Sequence, residues 1–179
     1  MRIALGTNQY GYPLREMVIA LLQELGHEVV DVGSFTDKPV DYPDIAALVA
    51  GRVSQGEVDR GILMAGTGIG MCIAANKFPG VRAAPCHDEL AAEFTRRHND
   101  LNVLCVPASI LGELLIGRVI ETWLKTPFEG GRHARRVEKI AGLEQEIAKS
   151  SVIVCRVSAA HAANRRTPEG PRAPVQVGR

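Results

Sequence analysis

Chemistry concentrates first in Gly66-Thr-Gly-Ile-Gly70. The apolar run Ile62–Met64 stops at this turn, and helix-forming residues follow to Lys77. A buried strand feeding a glycine turn and then a helix start can cradle an anion or a developing oxyanion. Glycine lets backbone come close to a ligand, and the first helical N–H groups lack an intrahelical acceptor. Thr67 adds a hydroxyl. The loop lacks the Gly-Lys-Ser/Thr ending of a nucleoside-triphosphate loop, and its glycine spacing is not that of a dinucleotide fold. A tight turn that binds nothing has the same local sequence.

Four polar clusters accompany it: Asn8-Gln-Tyr-Gly-Tyr12, Asp41-Tyr-Pro43, Arg97-His-Asn-Asp100 and Glu129-Gly-Gly-Arg-His-Ala-Arg-Arg136. Arg132 and Arg136 are four apart, so on a helix they share one face. Two guanidinium groups so placed suit a phosphate, since each donates two parallel hydrogen bonds. A solvated basic face is the alternative for such a run. His98 offers an imidazole, a side chain suited to acid–base chemistry, and it also suits a polar helix end. His87 and His133 read as surface residues. The cysteines Cys72, Cys86, Cys105 and Cys155 show no metal-type spacing, as expected for reduced thiols in a cytoplasmic chain.

The elements that must position these residues alternate. Strand patterns cover Arg2–Gly6, Glu28–Val32, Gly61–Met64, Val81–Pro85 and Val103–Val106. Helical spacing covers Leu14–Leu25, Pro43–Val53, Met71–Lys77, a segment capped by Asp88 and ending near His98, Leu111–Lys125 and Arg132 to about Ile147. Such alternation implies an α/β fold, a parallel sheet covered on both faces. Ligands of such sheets bind beyond the carboxyl ends of the strands. That rule gathers Thr7–Tyr12, Ala65–Gly70, Cys86–Asp88 and Pro107–Ser109 at one edge.

The 179 residues suffice for one domain with a substantial core. No apolar run has the length of a membrane span, and Met1-Arg-Ile-Ala enters a strand pattern directly, with no signal-peptide character. From Ala148 to Arg179 there are six basic residues and one acidic. Against a whole-chain charge of +1, this leaves the body at −4. A mildly acidic body argues against nucleic acid as a partner. The domain is therefore expected over residues 1–147. A basic, Pro/Gly/Ala-rich tail over 148–179 is expected to be disordered.

Taken together, the clusters resemble the ribose-5-phosphate isomerase B and galactose-6-phosphate isomerase subunit family. The resemblance rests on Asp41-Tyr-Pro43, Gly61-Ile-Leu63, Gly66-Thr-Gly-Ile-Gly-Met71, Ile73-Ala-Ala-Asn-Lys77 and Pro79-Gly-Val-Arg-Ala83. It continues through His98-Asn-Asp100, Asn102-Val-Leu104 and Phe128-Glu-Gly-Gly-Arg-His133 with Arg136. It implies a Rossmann-like three-layer sandwich with a five-stranded parallel sheet. It also implies a homodimer or dimer of dimers, with sites made from both subunits. The implied reaction is aldose–ketose isomerisation of a phosphorylated sugar through an ene-diolate, without metal or organic cofactor. Carried over by position, His98 opens the sugar ring, Asn99 contacts the sugar and Tyr42 lines the pocket. Gly66, Thr67, Gly68 and Gly70 hold the enediolate end, and Arg132 and Arg136 bind phosphate. Asn8 and Gln9 face the substrate where the family usually has Asp-His.

This chain departs from the pattern where the proton-transfer base stands. The family places a Cys before the glycine loop or a Glu after it; here those positions are Ala65 and Met71. The arginine that often follows strand five is Ser109. Neither Asn8 nor Gln9 can serve as a base. One account makes Cys72 the base, its thiolate favoured by the helix start and the arginine pair. A second has the chain act on a different sugar phosphate with another base. A third makes it the degenerate subunit of a heteromeric isomerase with a paralogous partner. A non-enzymatic sugar-phosphate-binding protein is the remaining alternative.

Overall fold

A computed structural model describes residues 1–149. The expected tail, apart from its first two positions, and Cys155 lie outside the described residues. Five strands form one parallel sheet: β1 (Arg2–Thr7), β2 (Glu28–Asp31), β3 (Arg60–Ala65), β4 (Ala83–Pro85) and β5 (Val103–Pro107), in the order β2-β1-β3-β5-β4. The helices are α1 (Arg15–Glu24), α2 (Tyr42–Ser54), α3 (Ile69–Ala75), α4 (Glu89–Asn99), α5 (Glu113–Lys125) and α6 (Arg132–Lys149). The compact α/β unit comprises Met1–Glu144.

Alternation along each strand sorts the side chains onto two faces. Ile3, Leu5, Ile62, Met64, Leu104 and Val106 pack with α1, α4 and α5, where Trp123 is fully buried. Ala4, Leu63, Ala65, Val103 and Cys105 pack with α2 and α3. The result is the three-layer, Rossmann-like sandwich expected for a doubly covered parallel sheet. Gly61 allows one tight approach: a Cβ there would lie 2.5 Å from Val49 Cγ1 on α2.

Element ends differ from the sequence expectation for local reasons. Pro13 turns the expected start of α1 into a 3-10 turn over Tyr12–Leu14, so the α-helix begins at Arg15. β4 begins at Ala83 because the Arg82 N–H is taken by the Asn102 side chain at 2.7 Å rather than by a strand. α5 begins at Glu113 because the Ile110 and Leu111 amides turn back to the Pro107 carbonyl. Asp88 does cap α4, its Oδ1 accepting the Ala91 N–H at 2.7 Å.

From β1 the chain moves to one side to make β2, then crosses back to make β3 on the other. The carboxyl ends of β1 and β3 therefore flank a topological switch point, the usual ligand crevice of such sheets. No helix among the described residues is long and apolar enough to cross a membrane.

Candidate active site

Three loops meet at the carboxyl edge of the sheet. The first follows β1 and is folded tightly by Asn8. The Asn8 N–H donates to the Met64 carbonyl at 3.1 Å, and the Asn8 carbonyl accepts from Gly11 and Tyr12 at 3.0 and 2.9 Å. The buried Asn8 side chain accepts the Tyr10 N–H at 3.1 Å. Gly11 is required here, because a Cβ would stand 2.6 Å from Met64 Cβ. Gln9 Oε1 accepts the Val40 N–H at 3.4 Å, which ties the segment preceding α2 to this edge. The third loop is pinned to the second: Ala108 N–H donates to the Ala65 carbonyl at 2.8 Å, and Ser109 N–H to the Gly66 carbonyl at 3.0 Å.

The glycine loop lies between them. Gly68 has φ +72°, a left-handed conformation that favours glycine, and it sits directly over Cys105. Exposed Thr67 folds its Oγ1 back to accept the Ile69 N–H at 3.3 Å, leaving its hydroxyl hydrogen to donate. The half-exposed ring of Tyr42, at the start of α2, covers Gly70 so closely that a Cβ there would lie 2.6 Å from Tyr42 Cε2. Glycine spacing thus serves both chain reversal and close approach of an aromatic wall.

Ala65 and Met71 flank this loop and are buried in the α2–α3 core. Neither offers a titratable group. Cys72, one position on, turns to the seam between α3 and β4, where its thiol donates to the Ala83 carbonyl at 3.3 Å and accepts from Asn76 Nδ2 at 3.4 Å. Its pKa is lowered to about 7, first because the Cys105 thiol hydrogen-bonds to it, with burial opposing and Asn76 assisting. The sequence expectation credited the arginine pair with ionising this thiol. That account is corrected: within one chain the arginines lie at the other edge of the sheet, and a neighbouring thiol has the effect instead.

The second cluster forms at that other edge. α4 leaves the carboxyl end of β4 and runs back, so His98 and Asn99 on its last turn lie beside the amino ends of the strands. Arg82, just before β4, donates to the Asn99 carbonyl at 3.0 Å, and the Asn102 carbonyl accepts the Gly61 N–H at the start of β3. The Glu129 N–H donates to the Arg97 carbonyl at 3.1 Å and brings the start of α6 onto the end of α4. There His98 is stacked between Phe94 and His133, the two imidazoles 4.2 Å apart and 4° from parallel. Glu129 lies 3.9 Å from Nε2 of each imidazole and is paired with Arg97 at 3.1 Å. Arg132 and Arg136 are both exposed beside this stack.

His133 was expected at the surface and is instead 3% exposed. It begins the inward side of α6, one turn before half-buried Val137, a spacing available in the sequence. Its pKa is lowered, first by burial and then by repulsion from His98 and Arg132. The neutral ring can accept, and Arg132 Nε donates to its Nε2 at 3.2 Å. His98, Glu129 and His133 bring three donor atoms within 4.8 Å of one another, as a cation site does. Those donors are already committed, to Arg132 on His133 and to Arg97 on Glu129, so they do not form an open ligand set.

The structure therefore brings Asn8, Gln9, Tyr42, Gly66, Thr67, Gly68 and Gly70 together at one edge and His98, Asn99, Arg132 and Arg136 at the other. The five residues of a strand such as β5 separate the edges by about 17 Å, too far for one substrate to bridge within a single chain. Two surface clefts, of about 490 and 580 Å³, are lined by α4–α5 and α1–α5 residues rather than by the glycine loop.

Residues 3–140 match the family model described as Ribose/Galactose Isomerase. The chain is 44% identical over 144 residues to ribose-5-phosphate isomerase B of Escherichia coli, a match covering 80% of this chain and 97% of the relative. It is 39% identical over 148 residues to the D-erythrulose-4-phosphate isomerase of Pectobacterium atrosepticum, covering 82% and 97%. Among solved structures, the ribose-5-phosphate isomerase B of Clostridium thermocellum superposes with a TM-score of 0.80 at 44% identity, covering 82% of this chain and 99% of that one.

Proposed function

The chain belongs to the ribose/galactose isomerase family, and from that premise we propose that it interconverts aldose and ketose forms of a phosphorylated sugar, with each site assembled from two copies of the chain. The observation that carries this reading is the separation of two complementary halves. One edge holds a glycine loop with Thr67 and Tyr42; the other holds an imidazole beside two arginines. A twofold axis that joins unlike edges of two copies completes two equal sites at once. Exposed Ile140 and Leu143 on α6 supply apolar surface that a second copy can cover.

In the assembled site, the partner's His98 acts as general acid and base in ring opening, and Asn99 beside it contacts the sugar. The amides of the Gly66–Gly70 loop and the Thr67 hydroxyl hold the oxygen that becomes negative in the ene-diolate. Tyr42 walls the pocket, and Asn8 and Gln9 face the substrate as neutral hydrogen-bonding groups. Arg132 and Arg136 take the phosphate. Proton transfer between C1 and C2 needs a base that neither Ala65 nor Met71 supplies. The Cys72 thiol is turned to the Ala83 carbonyl and Asn76, so the transfer is not assigned to it.

That gap favours a second reading, in which the chain is one subunit of a heteromeric isomerase and a paralogous partner brings the base. Deuterium exchange separates the two. The purified chain alone, in heavy water with four- to six-carbon aldose and ketose phosphates, is expected to label C1 or C2 of at least one sugar and turn it over. Tight binding without exchange on every sugar would rule out the self-sufficient enzyme and support the heteromer. Neither binding nor exchange would overturn both.

A further inference from the structure

His133 is buried, yet it touches two residues that reach the surface, partly exposed His98 and exposed Arg132. Its ring lies against the His98 imidazole, with centroids 4.2 Å apart and planes 4° from parallel. Its Nε2 accepts the Arg132 Nε–H at 3.2 Å. The backbone sets its place. Gly130 and Gly131 take φ +68° and +54°, left-handed values that favour glycine, and turn the chain into α6. The His133 N–H then donates to the Gly130 carbonyl at 3.0 Å. Phe94 also stacks on His98, at 5.0 Å.

We propose that His133 is a positioning residue that ties Arg132 to His98, so that a phosphate seated on Arg132 holds the ring-opening imidazole in its working orientation. The proposal rests on the isomerase reading, which gives His98 and Arg132 their roles. His133 is too buried to touch a substrate, so it acts through these neighbours. By taking the Arg132 Nε–H it leaves both Nη groups as a fork for the phosphate. Its flat face sets the tilt of the His98 ring.

An imidazole that accepts at Nε2 carries its proton on Nδ1 and is neutral. The surroundings favour that form. Burial first, then repulsion from His98, Arg132 and Arg136, lowers the His133 pKa. Glu129 acts in the opposite sense, with Oε1 3.9 Å from His133, but its Oε2 is paired with Arg97 at 3.1 Å. A charged His133 would lose the acceptor and repel both of the residues it links.

The two contacts can be removed one at a time. His133→Phe keeps an aromatic face for His98 and lacks the acceptor. His133→Gln keeps an acceptor at a reach similar to that of Nε2 and lacks the face. Measured on the full chain with a sugar phosphate that the wild type turns over, His133→Phe is expected to raise KM about tenfold, with a smaller change in kcat. His133→Gln is expected to lower kcat about a hundredfold, with a smaller change in KM. The same pattern in both variants, or a loss of melting temperature alone, would make His133 a packing residue and overturn the proposal.

A second measurement needs no turnover. Inorganic phosphate is titrated into the full chain while the His98 ring resonances, identified by their absence from His98→Gln, are followed by NMR. Phosphate is expected to shift them in the wild type and to lose most of that effect in His133→Phe at equal phosphate occupancy. Resonances unmoved in the wild type, or moved equally in both proteins, would overturn the link. The kinetic readout falls with the isomerase reading, whereas the phosphate readout does not, so the two failures are distinguishable.

Discussion

Arg132 illustrates how one residue's work depends on its neighbour. Its Nε–H is spent on His133, which aims the guanidinium and costs it some freedom before any phosphate arrives. Charge-assisted hydrogen bonds contribute roughly 1.5–3 kcal/mol each, so Arg132→Ala is expected to raise KM for a sugar phosphate by about one to two powers of ten with a smaller change in kcat. An unchanged KM would remove Arg132 from the phosphate site. His133 carries a pH prediction. Its folded pKa is depressed, so the unfolded chain takes up a proton as pH falls through about 6.5 while the folded chain resists. Its stabilising contribution is full above that range and is lost as pH falls through the lower folded value. His133→Asn should therefore lose less melting temperature than the wild type between about pH 7 and about pH 5; an equal or larger loss would contradict the assignment. Arg132, Arg136 and His98 were legible as residue types at meaningful spacing. The burial of His133 was not read, because a histidine between arginines looks solvated until its helical spacing to Val137 is followed.

At the scale of elements, alternation and periodicity carried nearly every strand and helix, and the misplacements came from side chains that divert backbone bonds. Asn102 withdraws the Arg82 N–H from β4, and Pro13 tightens the entry to α1. The seam between β3 and α2 depends on a missing Cβ. Gly61→Ala would press a methyl group against Val49 Cγ1 at 2.5 Å and against Val53 and Val103 at 3.3 Å. Overpacking of this kind costs about 1–3 kcal/mol, a fall of roughly 2–12 °C in melting temperature for a domain of this size. A melting temperature unchanged within about 1 °C would mean that α2 shifts away freely. The same seam seats the start of α2, and with it Tyr42 over Gly70, so the variant should also weaken substrate binding.

At the scale of the whole molecule, the proposed assembly of each site from two copies makes one prediction. A chain with Gly70→Trp, which fills the cradle under Tyr42, and a chain with Arg132→Ala and Arg136→Ala should each be nearly inactive alone. Co-expressed, half of randomly paired dimers are mixed, and each mixed dimer keeps one intact site and one doubly damaged one, restoring about a quarter of wild-type activity. No recovery in a verified mixed dimer would place each site within a single chain. The sequence by itself determined the layer architecture, the glycine loop and the arginine pair, because periodicity, turn chemistry and residue type are local properties of a chain. It also showed that Ala65 and Met71, on either side of the loop, lack ionisable groups in any conformation. Only the tertiary structure decided which of these residues face one another. α4 and α5 each run the length of the sheet, and so they carry His98, Arg132 and Arg136 to the edge opposite the glycine loop. It also decided that the Cys72 thiol turns to the Ala83 carbonyl, because that contact joins a helix to a strand, and no local pattern records it.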